Sequence, residues 1–213
     1  VDKGAIVSGL KPIHWCSHCQ SALSDAETEF ADKVSLAIDV SFKLAELFHI
    51  DGKDYESFVV IWTTTPWTLP ANQAVAYSSD ITYVAMVAHS KVYIVAQSLV
   101  QRALKAWNID EEHVEKTKVL TQQEVENLKW AHHPMYDRLV PVIEGHHVTE
   151  DSGTGFVHVA PDHGPDDYII GRNNNLLPMD LLDDRGKFKD GVPDLEGQIN
   201  FQVEQPIIDL LKS

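Results

Sequence analysis

Two segments of the chain set hydroxyls, imidazoles and carboxylates where an apolar run stops. The first is Trp62-Thr63-Thr64-Thr65-Pro66-Trp67-Thr68-Leu69-Pro70-Ala71-Asn72. Three hydroxyls in series can order a water or a polar substrate, Pro66 and Pro70 stiffen the backbone behind them, and Trp67 can wall a pocket. Threonine is also a good strand former, so composition alone leaves a plain strand edge open. The second segment runs Gly153-Thr154-Gly155-Phe156-Val157-His158-Val159-Ala160-Pro161-Asp162-His163-Gly164-Pro165-Asp166-Asp167-Tyr168. It reads as a strand carrying His158, a tight turn, and a helix with Asp166 and Asp167 in its first turn. Acids there bind cations or merely complement the helix dipole, and a strand histidine can be a satisfied core residue. His158, His163 and the two aspartates can also be read as a hydrolytic metal site. A third group, Cys16-Ser17-His18-Cys19 with His14 beside it, offers two thiolates, but the second cysteine pair of a closed zinc site is missing.

The surrounding pattern says what positions these groups. Val34, Leu36, Ile38, Val40 and Phe42 alternate at a period of two, the mark of a half-buried strand. Phe58 to Trp62 is a continuous apolar run, expected as a fully buried strand. Tyr83–Val87 and Val92–Val95 are joined by a short polar bridge, which predicts a hairpin. Leu99, Val100, Ala103, Leu104 and Trp107 recur at helical spacing, with Ser98 as the expected N-cap. Short helices are expected over Thr121–Leu128 and Ile207–Lys212, and a longer one opens at Pro165, which suits a first turn. Gly155–Val159 reads as another strand, and Asp183–Gly186 as a turn. Strands outnumber helices without regular alternation, so a doubly wound parallel sheet is excluded. The expected fold is α+β: a strand-rich single domain with a β-barrel-like core and a few peripheral helices. Residues 1–213 form that domain, with 1–45 as a peripheral ribbon and 46–213 as the core with a pocket.

The 213 residues carry 17 basic and 32 acidic side chains, a formal charge of −15. From residue 107 onward there are 21 acids and 9 bases, and no Lys/Arg cluster of the kind that grips phosphates. A free-standing nucleic-acid binder is therefore not expected. No apolar run reaches the ~18 residues of a membrane span. The two cysteines form no disulfide framework and suit a reducing compartment, so the expected location is cytoplasmic. The opening Val1-Asp2-Lys3-Gly4 has neither Met nor an apolar leader, which suggests a piece of a longer chain or a processed one. Walker A, Gly-x-Gly-x-x-Gly and Gly-x-Ser-x-Gly templates are all missing.

Taken together, in this order and at this separation, the two motifs resemble the editing domain inserted into isoleucyl-tRNA synthetase. Valyl and leucyl relatives share that connective insertion. Pro12-Ile13-His14-Trp15-Cys16 and Ser21-Ala22-Leu23 extend the resemblance over almost the whole chain. Thr-Thr-Thr-Pro-Trp-Thr-Leu-Pro with His158 looks isoleucyl rather than valyl or leucyl, and His163-Gly164-Pro165-Asp166-Asp167 looks bacterial. Asp162 departs from the glycine common there.

The resemblance implies hydrolysis of mischarged Val-tRNA(Ile), and of valyl-adenylate, by an ordered water. One methylene in an apolar pocket discriminates by only about 1–3 kcal/mol, a magnitude for which this synthetase is itself the standard example. A second, hydrolytic sieve makes up the difference. The implied catalytic set is Thr63, Thr64 and Thr65 around the ester and Asp167 on the α-ammonium. Trp67, Asn72 and His158, again with Asp167, complete the implied binding set: Asn72 at the adenosine end, Trp67 and His158 at the side chain. No metal or cofactor is expected. The expected partners are the 3′ acceptor end of tRNA(Ile) and the rest of the synthetase, with no membrane. Without the signatures of the synthetase core, the chain is not expected to make aminoacyl-tRNA. The alternative is a non-catalytic module that docks the acceptor end.

Overall fold

The computed structural model describes residues 12–29, 31, 32 and 34–212; the opening Val1-Asp2-Lys3-Gly4 lies outside them. A hairpin, β1 (His14–Cys16) and β2 (Ser21–Leu23), leads to β3 (Ile38–Lys43). A second small hairpin, β4 (Phe48–Ile50) and β5 (Lys53–Tyr55), precedes β6 (Ser57–Thr63), β7 (Ala74–Tyr77), β8 (Tyr83–Ala88) and β9 (Lys91–Ala96). Then come α1 (Val100–Trp107), β10 (Val114–Val119), α2 (Gln122–Glu126), β11 (Trp130–His132) and β12 (Leu139–Glu144). The described chain closes with β13 (Val157–Val159), α3 (Pro165–Asn173) and α4 (Glu204–Lys212).

The strands make a five-stranded sheet, β10-β8-β9-β6-β3, and a four-stranded sheet, β11-β12-β7-β13, each mixed in direction. Alternation along the strands sorts the core into layers. Val40, Phe42, Val59, Ile61, Ala85 and Ile94 face Val75, Tyr77, Val140 and Val142 between the sheets. On the outer face of the larger sheet Val84, Met86 and Val95 receive Ala103 and Leu104 of α1. On the outer face of the smaller one Ala74, Ala76 and Val159 receive Ile170 of α3.

The fold is thus α+β, with mixed sheets and a few helices, but the expected barrel is absent. Both sheets stay open, with β10 and β3 as the edges of one and β11 and β13 as the edges of the other. A barrel needs such edges to pair along a continuous stagger; here an isolated bridge, Leu44 to Ala131, joins the two sheets. Alternating apolar residues suit a closed barrel and two stacked open sheets equally, which is why the pattern misled.

β6 is the buried strand its sequence announced, with antiparallel β3 on one side and parallel β9 on the other. The β8–β9 hairpin turns on His89 and Ser90, both at positive φ, as a two-residue turn with the strands' twist requires. Two expectations need correction. Only Ile38–Lys43 of the alternating run is strand, and Val34 is fully exposed. Ser98 does not cap α1, which has Leu99 at that position; its hydroxyl donates to Glu150 Oε2 at 2.7 Å. Among the described residues no helix is long and apolar enough to cross a membrane.

His133 joins the sheets' interior to the threonine-rich turn. Its Nε2 donates to the Leu69 carbonyl at 3.0 Å, and its Nδ1 accepts from Met135 N and Tyr136 N. Burial first, then Arg138, pushes the ring down to about 3 from 6.5. The unfolded chain therefore binds more protons than the native one as pH falls through 6.5 toward 3, and stability falls with it. His133→Gln should remove on the order of 2–3 kcal/mol of the acid-induced loss at pH 4.5. Denaturant melts at pH 7 and 4.5 measure it; equal losses in both proteins would refute the assignment.

Candidate functional site

A cavity of about 280 Å³ opens where β6 ends. Its walls are Trp62–Thr65 from that strand, Gly153 and Gly155–His158 from the second motif, His147, Thr149 and Ser152 from the preceding loop, and Asp167 from α3. Another cleft, of about 240 Å³, lies between residues 44–49 and 124–130 and shares no wall residue with it. The structure therefore brings Thr63, Thr64, Thr65, His158 and Asp167 to one cavity.

The threonine turn is held by its own hydroxyls. Thr63 Oγ1 accepts from Thr65 N at 3.0 Å and lies 3.3 Å from Thr65 Oγ1. Thr65 begins a 3-10 turn, Pro66–Ala71, whose proline suits its opening position. Thr68 Oγ1 donates to the Thr65 carbonyl at 2.8 Å and sits 3.1 Å from His158 Nε2. A hydroxyl has one proton. With that proton on Thr65 O, the contact to His158 must be an Nε2–H donating to Thr68, which leaves Nδ1 as an acceptor. That Nδ1 is buried without a protein partner.

His158 lies opposite Val75 in the β13–β7 pairing, and its side chain takes the inter-sheet side while Val159 packs toward α3. Burial first, and then His163, lowers its pKa to about 4, so the ring is neutral at physiological pH. Asp167 sits in the first turn of α3, and its Oδ2 accepts from Ala160 N at 2.9 Å. Burial pushes its carboxyl up, while the Ala160 N–H and the nearby His147 pull it down. Asp166, one residue earlier, is exposed and outside the cavity wall. Asp162 is not among the residues at positive φ, and its carboxylate accepts from Met179 N and Asp180 N, at 2.7 and 2.9 Å.

Two expected residues lie off the cavity. The 3-10 turn swings Trp67 against His163 and Phe201, ring centroids 4.9 and 5.5 Å away. Asn72 is fully buried, with Nδ2 donating to Ala74 O at 2.7 Å and its backbone carbonyl receiving Arg138. Conversely, His147, Thr149 and Ser152 line the cavity unforeseen. Their signal was weak: polar residues in the loop just before Gly153-Thr154-Gly155. Cys16 and Cys19 are free thiols, with Cys19 N donating to Cys16 Sγ at 3.3 Å. Among the described residues the group with metal-ligand spacing is Asp110, Glu112 and His113, on the surface.

Gly155 explains the close approach of the second motif to β9. It has φ +83°, and a Cβ there would lie 2.5 Å from Ala96 Cβ. Thr154 locks the same loop by donating to Val60 O, and Tyr83 OH donates to Gly155 O at 2.7 Å. Gly155→Ala should cost roughly 2–4 kcal/mol, from left-handed backbone and overpacking together. An unchanged urea midpoint would contradict this packing.

Comparisons with known proteins meet this geometry. Residues 1–144 match the sequence model of the tRNA synthetases class I (I, L, M and V). The chain is 41% identical over 217 residues to isoleucine–tRNA ligases of Francisella tularensis subsp. tularensis strain SCHU S4 and subsp. novicida strain U112. The match covers 99% of this chain but 23% of each ligase, so the chain spans about a quarter of their length. A solved structure described as "The crystal structure of GlLeuRS-CP1" superposes with a TM-score of 0.63 at 14% identity, covering 83% of this chain and 96% of that one. At that identity the likeness is one of fold.

Proposed function

The chain belongs to the class I tRNA synthetases, as an editing-type connective domain of the isoleucyl branch, and from that premise we propose that it hydrolyses the ester of Val-tRNA(Ile). Valyl-adenylate is a second substrate of the same cavity. The observation that carries this reading is the convergence of Asp167 and the hydroxyls of Thr63, Thr64 and Thr65 on one cavity with His158 in its wall.

Asp167 takes the substrate α-ammonium in a charge-assisted bond. The threonine hydroxyls hold the attacking water near the ester carbonyl, with the Thr63–Thr65 contacts fixing their positions. An aminoacyl ester is already activated, so orientation in a polar, pre-built pocket supplies much of the needed acceleration. Among the described residues no hydrogen bond ties Ser152, the serine on the cavity wall, to a histidine or a carboxylate, which favours direct attack by water over an acyl-enzyme. His158, neutral and tied to Thr68, fills the space that the extra methylene of isoleucine would need. The acceptor end of tRNA(Ile) and the remainder of the synthetase are the partners.

Incubating the purified chain with Val-tRNA(Ile) and Ile-tRNA(Ile) tests the reading. Faster-than-spontaneous loss of the valyl ester, with the isoleucyl ester spared, is the expected result. Acceptor-end binding with no acceleration of either would instead favour a docking module.

A further inference from the structure

At one end of the larger sheet the pairing register gathers imidazoles and carboxylates that the hydrolytic cavity does not use. Val114 stands opposite Ala88 in the antiparallel β8–β10 pair, so the next residues outward, His113 and His89, are cross-strand neighbours. Their rings lie 26° from parallel with centroids 6.1 Å apart. His89 occupies the positive-φ turn that joins β8 to β9. The 3-10 turn Glu111–His113, with Asp110 at its N-cap, brings two carboxylates to the same place. One ligand atom from each of Asp110, Glu112 and His113 lies within 4.8 Å of the others, and His113 Nδ1 stands 3.8 Å from Asp110 Oδ2. All four side chains are exposed, and none lines the hydrolytic cavity.

Neighbouring acids on the surface of a chain of charge −15 need bind nothing; the two imidazoles, delivered by a different turn and a strand pairing, set this group apart. Zinc holds nitrogen and oxygen ligands at about 2.0–2.2 Å, so ligand atoms on one ion stand roughly 3.3–4.4 Å apart. Rotation of exposed side chains about their own bonds closes the difference from 4.8 Å. With Zn–N near 2.1 Å, two rings sharing an ion have centroids at most roughly 6.5 Å apart, which the two histidines satisfy. Imidazole with carboxylate suits zinc and its transition-metal neighbours, whereas Mg²⁺ and Ca²⁺ favour all-oxygen sets. Glu115 is not counted, because its Oε1 accepts from Ser90 N at 3.3 Å.

We propose that His89, Asp110, Glu112 and His113 bind a divalent transition-metal cation of the Zn²⁺ type, which clamps the β8–β9 turn to the turn that opens β10. Four protein ligands complete a tetrahedral set, so the ion's role is structural rather than catalytic. The clamp shares no residue with the cavity and stands whether or not the chain hydrolyses an ester.

The test titrates Zn²⁺ into the chain at neutral pH, followed by calorimetry and by NMR of the histidine ring protons. Cys16 and Cys19 are free thiols, so the same titration is run on the Cys16→Ser, Cys19→Ser variant, where they cannot supply the signal. The expected result in that variant is one equivalent bound, with the ring protons of His89 and His113 moving together. Affinity should be at least about tenfold weaker in His113→Ala, since even groups behind the ligands cost that much, and weaker also in His89→Ala. Bound Zn²⁺ should raise the melting temperature of the parent chain and not that of His113→Ala. Millimolar Mg²⁺ should leave the zinc in place. Loss of all binding with the two thiols, unchanged affinity in either histidine variant, or displacement by Mg²⁺ as from a simple acidic cluster would each overturn the clamp.

Discussion

Asp167→Asn should lower Val-tRNA(Ile) hydrolysis by roughly a hundredfold or more while the protein stays folded. Removing one partner of a desolvated charge pair typically costs about 2–5 kcal/mol, and here the lost partner is the only carboxylate among the described residues of the cavity wall. Asparagine retains an oxygen for the Ala160 N–H bond, so the helix start survives. Stability should not fall much. Burial raises the carboxyl's pKa, which means the ionised form is a net cost to the native state at neutral pH. The same shift fixes a pH signature. As pH falls, Asp167 takes up its proton earlier than an exposed aspartate would, so hydrolysis should begin to fail above the usual aspartate range. Single-turnover deacylation from pH 4.5 to 7.5, with parallel thermal melts, tests both parts. An Asn variant with wild-type rates would remove Asp167 from the mechanism.

The second large effect concerns what the cavity refuses. His158→Ala should keep valyl-ester hydrolysis within a few-fold and raise isoleucyl-ester hydrolysis at least about tenfold, the scale of one methylene's worth of fit. The argument is geometric: the ring is buried, its Nε2 is committed to Thr68, and its neighbours on the strand face away. A group with a pKa near 4 is also a feeble proton acceptor at neutral pH. Were His158 nevertheless the general base, the alanine variant would lose both activities together. Rates on the two esters, read side by side, separate exclusion from catalysis, and a melt guards against simple collapse of the emptied site.

The elements that the sequence made legible are those whose pattern is local. Phe58–Trp62 has to be a strand buried on both faces, and Pro165 with two aspartates has to open a helix. The 83–95 hairpin follows from its two apolar runs. The cavity's principal walls were legible for the same reason, since both motifs end a buried strand. What was not legible depends on how distant segments meet. His147, Thr149 and Ser152 reach the cavity because β12 pairs in parallel with β7, a long-range pairing with no local mark. Trp67 and Asn72 belong to the right motif, yet the 3-10 turn carries one against His163 and Phe201 and the other into the core. The open sheets were missed because alternation specifies which face is buried, not whether edges close.

The central claim is that Asp167 and the threonine hydroxyls act on one bound aminoacyl group. A crystal structure with a non-hydrolysable valyl-adenosine analogue tests it most directly. The account expects the amino nitrogen within hydrogen-bond distance of the Asp167 carboxylate, a water held between the hydroxyls of Thr63, Thr64 or Thr65 and the carbonyl carbon, and the valyl methyls against His158. An amino group on Asp166 or in solvent, or an analogue seated in the cleft between residues 44–49 and 124–130, would contradict it.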